Sequence, residues 1–473
     1  MENTGNGAPR RPNPRRRRRS PLRIFIDSYL PLLVIGVVII LFIVFAVGSI
    51  GRSNDRRAQQ EQDRIAASQS EAQKQLELEA EASRLITEAS ALAKAYDYDG
   101  AIALLDSFSG NLYEFDSLLA ARESYVKTKE SLIAWDDPSK VVNLSFHLLI
   151  ADPVRAFSDK GYASSYKWNF ITTTEFSSII QQLYDNGYVL VDIYDLFEAT
   201  TAEGGSTVYK AKTLYLPEGK KPMMLTQTQV NYYTYMTDSD GDGLADKGGG
   251  GFASRLIVDS TGALTCEYVD STGKTLTGAY DLVPILEDFI AANPDFSYKG
   301  ARAVLAVSGY DGLFGYRTDP ETAKKISQEY YDQQLKELPA VVDALKAKGY
   351  RMACYTYNNI AYGNVSAAKI QEDLDKWKNE VTPLLGELDI LVYAKESDIS
   401  SPADAYTGDK YHVLQNAGFR YFLGFCEGSE PWAQTNRTNV RQGRLMVTGN
   451  NLQKNAKLFE GLFDTSIALD RNR

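Results

Sequence analysis

Histidine is nearly absent: His147 and His412 are the two present, against thirty tyrosines in 473 residues. Because histidine is the commonest metal ligand and the usual general base near neutral pH, a metallohydrolase of ordinary design starts with few ligands. Cysteine is scarce too. Cys266, Cys354 and Cys426 lie far apart and are odd in number, which excludes a disulfide framework and any metal or redox pair spacing. One bond at most can form, and three small buried apolar residues are the plainer reading. What is abundant is apolar surface. At 44% hydrophobic and 11% aromatic residues, the chain has enough for a large core and for two or three domains.

Basic charge is concentrated at one end. The first 23 residues hold eight arginines and one glutamate, so the remainder is more acidic than the net charge of −10 suggests. That excludes a nucleic-acid partner for the body of the chain. The run Arg15 to Arg19 stands before "YLPLLVIGVVIILFIVFAVGSI", Tyr29 to Ile50, which carries no charge. At about 1.5 Å per residue this is long enough to cross a bilayer. A cleaved signal would have a shorter apolar region and a small-residue cleavage site, whereas the chain continues "GRSNDRRAQQ". The expectation is an uncleaved single-pass anchor in a bacterial membrane, with residues 1–28 a basic cytoplasmic tail, 29–50 the span and everything beyond outside the cytoplasm.

Residues 51–135 are expected to be helical. From residue 54 to about 90 the chain is rich in Ala, Glu, Gln, Arg and Ser without Gly or Pro, as in a polar stalk. "ALAKAYDYDGAIALLDSF" and "FDSLLAARESYVKTKESLIAW" add a helix, an Asp-Gly break and two further apolar-periodic helices. This region is a plain spacer or a surface for a protein partner. From residue 136 the texture changes to short β-branched runs alternating with amphipathic helices. Strands are expected at "VVNLSFHLLI", "YVLVDIYDL", "KPMMLTQTQ", "RAVLAVSGY", "YRMACYTY", "LDILVYAK" and "FRYFLGF", and residues 136–473 read as an incomplete, distorted parallel β/α barrel. In such barrels chemistry sits at the C-terminal ends of the strands.

At those ends the stretches "HLLIADPVRAF", "TTTEFSSIIQQLYDNGYVLVDIYDL", "LPEGKKPMMLTQTQVNYY", "GFASRLIVD", "GAYDLVPILEDFIAANPDFSYKGARAVLAVSGYDGLFGYRT" and "NAGFRYFLGF" resemble the polysaccharide deacetylase family with the NodB-homology fold, in a membrane-anchored bacterial branch. The resemblance spans about residues 141 to 450. It implies a divalent metal, usually zinc, held by one aspartate and two histidines, a second aspartate as base, and water attack on a glycan acetyl group. The positions that should carry this chemistry do not. Thr228 and Gln229 stand where the Asp-Asp pair belongs, and Tyr355 and Asn359 where the His-x-x-x-His pair belongs. Tyr and Asn are poor zinc ligands, and the neutral amide of Gln229 has no useful basicity near pH 7. Neither histidine falls after the strands that should supply the pair.

The barrel site is therefore expected to hold no metal and no catalytic residue. Gln227, Thr228, Gln229, Tyr355, Tyr357, Asn358 and Asn359 are neutral donors and acceptors suited to a sugar. Arg317, which the resemblance places in support of the base, and Trp432, in the late segment with Arg441 and Arg444, complete the glycan-binding candidates. In "DSDGDGLADKGGGG", Asp238, Asp240, Asp242 and Asp246 fall at positions 1, 3, 5 and 9 of a calcium-type loop whose twelfth position is Gly249. A solvated Asp-Gly turn is the competing reading. The expected function is a catalytically inactive deacetylase-like protein that binds or organises cell-envelope polysaccharide, peptidoglycan or a related glycan. Its rivals are an active metal-dependent deacetylase with a displaced site, and a scaffold that recruits envelope proteins through its helical region.

Overall fold

The computed structural model describes Val34 and residues 55–473. Among these no helix is long and apolar enough to cross a membrane, and the expected span Tyr29 to Ile50 lies, Val34 apart, outside them. The chain divides into two compact units, up to Glu79 and from Ala80 onward. The helix α1 (Asp55–Lys94) begins in the first unit, where it is largely exposed and carries amide-to-carboxylate pairs one turn apart, Gln73 to Glu77 at 3.0 Å among them. Such pairs support a helix that buries little. In the second unit the helices α2 (Tyr98–Asp106) and α3 (Asp116–Glu130) follow the end of α1. They are tied to the barrel at Tyr96, whose hydroxyl donates to the Asp295 carbonyl at 2.7 Å.

Seven parallel strands close a ring: β1 (Val142–Phe146), β2 (Lys221–Thr228), β3 (Val304–Val307), β4 (Arg351–Cys354), β5 (Ile390–Val392), β6 (Tyr421–Phe425) and β7 (Val440–Met446), with β7 returning to β1. The ring differs from the expected strand list in two places. The run at Tyr188–Leu190 pairs with the start of β2, whose second half pairs with β3, and otherwise makes one bridge, from Leu190 to Ser297, so it lies off the ring. Its place in the count is taken by β7, whose sequence VRQGRLM carries two arginines and a glutamine and lies outside the expected strands. All seven of its residues are buried.

The connecting helices form as their patterns dictate. In α4 (Thr173–Asp185) apolar residues at Phe176, Ile179, Ile180 and Leu183 repeat at helical spacing and are buried, and Phe176 meets Phe146 of β1 edge-on at 5.2 Å. Burial of each contributes about 1.5–3 kcal/mol. The helix starts at a capping box in which Thr172 and Glu175 satisfy each other's backbone amides, worth about 1 kcal/mol. The helix α5 (Leu282–Ala292) covers the ring further on, as do α6 (Gln328–Lys348), which stops at left-handed Gly349, and α7 (Ala367–Glu380).

Alternation along the strands separates two cores. Leu144, Phe146, Leu225, Leu305 and Phe422 face the helices, whereas Met224, Val304, Ala306, Ala353, Val392 and Leu423 fill the interior. The interior is polar where β1, β2 and β7 meet. Thr226 donates to Asn143 at 2.8 Å, Asn143 to Gln442 at 3.3 Å, and Gln442 to the Val141 carbonyl at 3.3 Å. The polar character of β7 thus has a structural cause: Gln442 completes this buried ladder, Arg444 donates to Ser145 at 2.8 Å, and Arg441, on the opposite face, pairs with Asp398 at 3.0 Å.

Candidate functional site at the barrel mouth

The C-terminal ends of β2, β3, β4 and β5 share an unusual backbone. Of the ten described non-glycine residues with positive φ, eight lie just beyond these strands, two at each: Gln229 and Tyr232, Asp311 and Phe314, Thr356 and Asn359, Lys395 and Glu396. Left-handed conformations at non-glycine residues cost of order 1–3 kcal/mol each and cluster at sites that hold ligands.

His147, immediately after β1, enters this mouth. Its Nδ1 lies 2.8 Å from Thr228 Oγ1, and the threonine hydroxyl in turn donates to the Phe146 carbonyl at 3.2 Å. With its proton committed there, Thr228 accepts from His147, which fixes the Nδ1–H tautomer and leaves Nε2 as an acceptor. Burial, reinforced by the positive charge of Arg444, lowers the His147 pKa to about 4, so the imidazole is neutral at physiological pH. Arg444 itself is buried from β7 among neutral oxygens: Ser145 Oγ at 2.8 Å, the Gly424 carbonyl at 3.0 Å and the Tyr393 carbonyl at 3.2 Å.

The four positions expected to have replaced the metal and base residues all belong to this mouth. Thr228 holds His147. Tyr355 is buried and accepts from the Lys395 amide at 3.3 Å; burial raises its pKa, while Arg444 and the Gln229 side chain oppose the rise. Asn359 donates to the Tyr233 hydroxyl at 3.0 Å, and its Oδ1 is buried without a partner.

The other glycan candidates turn away from it. Gln227 alternates with Thr228 and points between β1 and β2 to Asp281, its Nε2 donating at 2.8 Å; Tyr232 donates to the same carboxylate at 2.6 Å. Tyr357 and Asn358 face α7, where buried Asp373 accepts from both backbone amides, at 2.7 and 2.9 Å, and from Asn358 Nδ2 at 3.0 Å. Arg317 is 4% exposed and donates to the Asp311 carbonyl at 3.2 Å and the Tyr232 carbonyl at 2.9 Å, so it ties the β2 and β3 loops together. Trp432 lies over the facing pair Gly424 and Gly443, where an added Cβ on Gly443 would stand 2.3 Å from its Nε1. Gly443 precedes the inward Arg444, which puts this tryptophan on the outer face of the ring.

Sequence reasoning missed three mouth residues. Tyr233 and Ser308 hydrogen-bond each other at 2.9 Å beside Asn359. Glu396 is exposed on left-handed backbone and lies within the field of Arg444 and Tyr355; partial burial raises its pKa and Arg444 opposes this. Its signal in the sequence was its place just past "LDILVYAK".

In the acidic loop, carboxylate oxygens of Asp238, Asp240 and Asp246 lie within 4.8 Å of one another, and Asp242 is not in the group. The carboxylates already accept from loop amides, Asp238 from Gly241 at 2.8 Å and from Gly243 at 2.7 Å. Among the described residues, this is the one cluster of three or more acidic, histidine or cysteine side chains with ligand spacing.

The second unit is thus a parallel β/α barrel with a polar mouth at the C-terminal strand ends. Comparison with known proteins gives three findings. A family model described as "Polyglycine hydrolase-like, structural repeat" matches residues 327–359, the span of α6, β4 and the loop to Asn359. No curated protein sequence matches the chain. Among solved structures, the Streptococcus pyogenes deacetylase PplD in complex with acetate is 11% identical, with a TM-score of 0.32 over 66% of this chain and 97% of that one. A de-N-acetylase from Aggregatibacter actinomycetemcomitans is 12% identical, with a TM-score of 0.35 over 68% and 99%.

Proposed function

We propose that the chain is a membrane-anchored, extracytoplasmic protein of polysaccharide-deacetylase type whose barrel mouth binds cell-envelope polysaccharide, peptidoglycan or a related glycan, without hydrolysing it. One observation carries this reading. Thr228, Gln229, Tyr355 and Asn359, at the positions where the resembling family keeps its metal ligands and base, meet at a single mouth together with a neutral His147. None of the four is a carboxylate or an imidazole. Amides, hydroxyls and a neutral imidazole acceptor suit sugar hydroxyls, and the strained backbone at four successive strand ends supports a mouth maintained for a ligand.

Glu396 favours a second reading, hydrolysis from a displaced site. A carboxyl group with a raised pKa is suited to general acid work, and Glu396→Gln abolishes any glycan turnover if this reading holds. Calcium belongs to the proposal at the acidic loop, through Asp238, Asp240 and Asp246.

The test is equilibrium binding of the full chain to peptidoglycan fragments and chitooligosaccharides. Asn359→Ala and Thr228→Ala each weaken binding by about tenfold, or about 1.4 kcal/mol. Binding unchanged in both variants contradicts a glycan at the mouth.

A further inference from the structure

A row of tyrosine rings, Tyr233, Tyr235 and Tyr162, runs from the mouth. Tyr233, hydrogen-bonded to Asn359 and Ser308, stands 6.1 Å from Tyr310 and 5.8 Å from Tyr235, to which it is nearly parallel at 16°. Tyr235 stands 5.3 Å from Tyr162. The inner ring, Tyr233, is buried, but Tyr310, Tyr235 and Tyr162 are 51%, 43% and 44% exposed. Tyr235 and Tyr162 line an open groove of ≈ 760 Å³ whose remaining walls include Arg155, Asp159, Asp238 and Asp240.

The row is held in place from below. Thr234, between Tyr233 and Tyr235, donates its hydroxyl to Asp311 at 2.7 Å. Arg317 donates to the Asp311 carbonyl and to the Tyr232 carbonyl, so it grips the chain on both sides of the contact. Tyr162 is fixed by its own amide, which donates to Asp159 at 2.6 Å. Rings presented on a pinned backbone lose little entropy when a ligand stacks on them.

Two exposed tyrosines in contact, Tyr235 and Tyr162, continuous through Tyr233 with the polar mouth and bordered by charged residues, fit a ligand with repeated apolar faces and a hydroxyl-rich edge. Nucleic acid also stacks on tyrosine, but its phosphates would face Asp159, Asp238 and Asp240, which outnumber the lining cations Arg155 and Lys160. We infer that Tyr235 and Tyr162 form a stacking rail that carries successive sugars of a linear, uncharged or weakly charged glycan from the barrel mouth into the groove beside the acidic loop. Arg317 acts as a positioning residue for this rail through Asp311 and Tyr232. The inference rests on the reading of the mouth as a glycan site, and it adds that the site takes a chain of several sugars and discriminates by length.

The test is calorimetric titration of the full chain with β-1,4-linked N-acetylglucosamine oligomers of one to six sugars. The wild-type protein binds more tightly as the oligomer lengthens. The double variant Tyr162→Ala/Tyr235→Ala loses about tenfold in affinity for the hexamer while its affinity for the disaccharide is unchanged; Tyr162→Phe/Tyr235→Phe, which keeps the rings, retains the length dependence. A length dependence unaffected by the alanine double variant overturns the rail, and if Asn359→Ala still weakens binding in that case the mouth reading survives alone. Absence of binding at every length overturns both.

Discussion

His147 and Thr228 are joined across the barrel mouth by a 2.8 Å hydrogen bond that leaves one imidazole nitrogen as an acceptor and keeps the ring uncharged. The bond places a histidine that no metal motif claims beside the position where the resembling family begins its acidic pair. It also makes the mouth sensitive to acid.

The His147 pKa falls from an ordinary 6.5 to about 4 because the half-buried ring is poorly solvated, with Arg444 adding repulsion. The unfolded chain therefore binds a proton first as pH drops. Stability is fully present above pH 6.5 and declines by about 1.4 kcal/mol per pH unit down to about pH 4. Urea denaturation from pH 7 to 4 measures this slope, and His147→Gln reduces it. With two histidines in the chain, imidazole NMR resolves the titration of His147 near pH 4 directly.

Arg317 and Asp311 are both nearly fully buried, and their side chains lie 3.9 Å apart. Removing one charge strands the other, so Arg317→Ala costs about 3 kcal/mol of stability. Thermal unfolding measures the loss. Asp311→Asn/Arg317→Gln, which removes both charges together, recovers part of it.

Asp373 gathers the backbone amides of Tyr357 and Asn358 and the Tyr362 hydroxyl, the last at 2.8 Å. Asp373→Ala leaves these buried donors unpaired and destabilises by about 2–4 kcal/mol. Asn358→Ala, on the α7 side of the loop, leaves glycan affinity unchanged, whereas its neighbour Asn359→Ala lowers it; one titration series separates the two.

Calcium binding at the acidic loop is read by titration at millimolar calcium. Asp238→Asn and Asp246→Asn weaken it, while Asp242→Asn, whose carboxylate stands outside the three-residue group, has little effect.

Much of this architecture was legible in the sequence, for reasons that particular segments make plain. The helical period of TTTEFSSIIQQLYD and the apolar run KPMMLTQT are unambiguous, because one buries a single stripe and the other both faces. β7 was not legible. A buried strand with Arg, Gln and Arg defies the hydrophobic pattern, and only tertiary partners explain it: the polar ladder for Gln442, Ser145 for Arg444 and Asp398 for Arg441. A three-stranded antiparallel sheet, Arg255–Val258, Leu264–Val269 and Thr275–Gly278, was also overlooked, although DSTG occurs twice at its turns. Asp259 and Asp270 each accept from the amide and hydroxyl of the threonine two residues on, at 2.8 and 2.6 Å, so identical sequence gives identical turns.

The sequence placed the candidate residues at strand ends, where the structure also has them, but did not give the direction of each side chain. Alternation sends Gln227 and Thr228 to opposite faces, and left-handed backbone at Thr356 and Asn359 separates Tyr355 and Asn359 from Tyr357 and Asn358. Residues brought in from elsewhere, Tyr233, Ser308 and Glu396, have no local signature because their roles depend on the closure of the ring.

The central claim is a glycan-binding mouth without deacetylation. It is tested most directly by measuring, on the full chain with added zinc and an acetylated chitooligosaccharide, bound metal, acetate release and oligosaccharide binding in the same preparation. The account predicts saturable oligosaccharide binding without stoichiometric zinc at the mouth and without acetate release. Stoichiometric zinc accompanied by acetate release contradicts it.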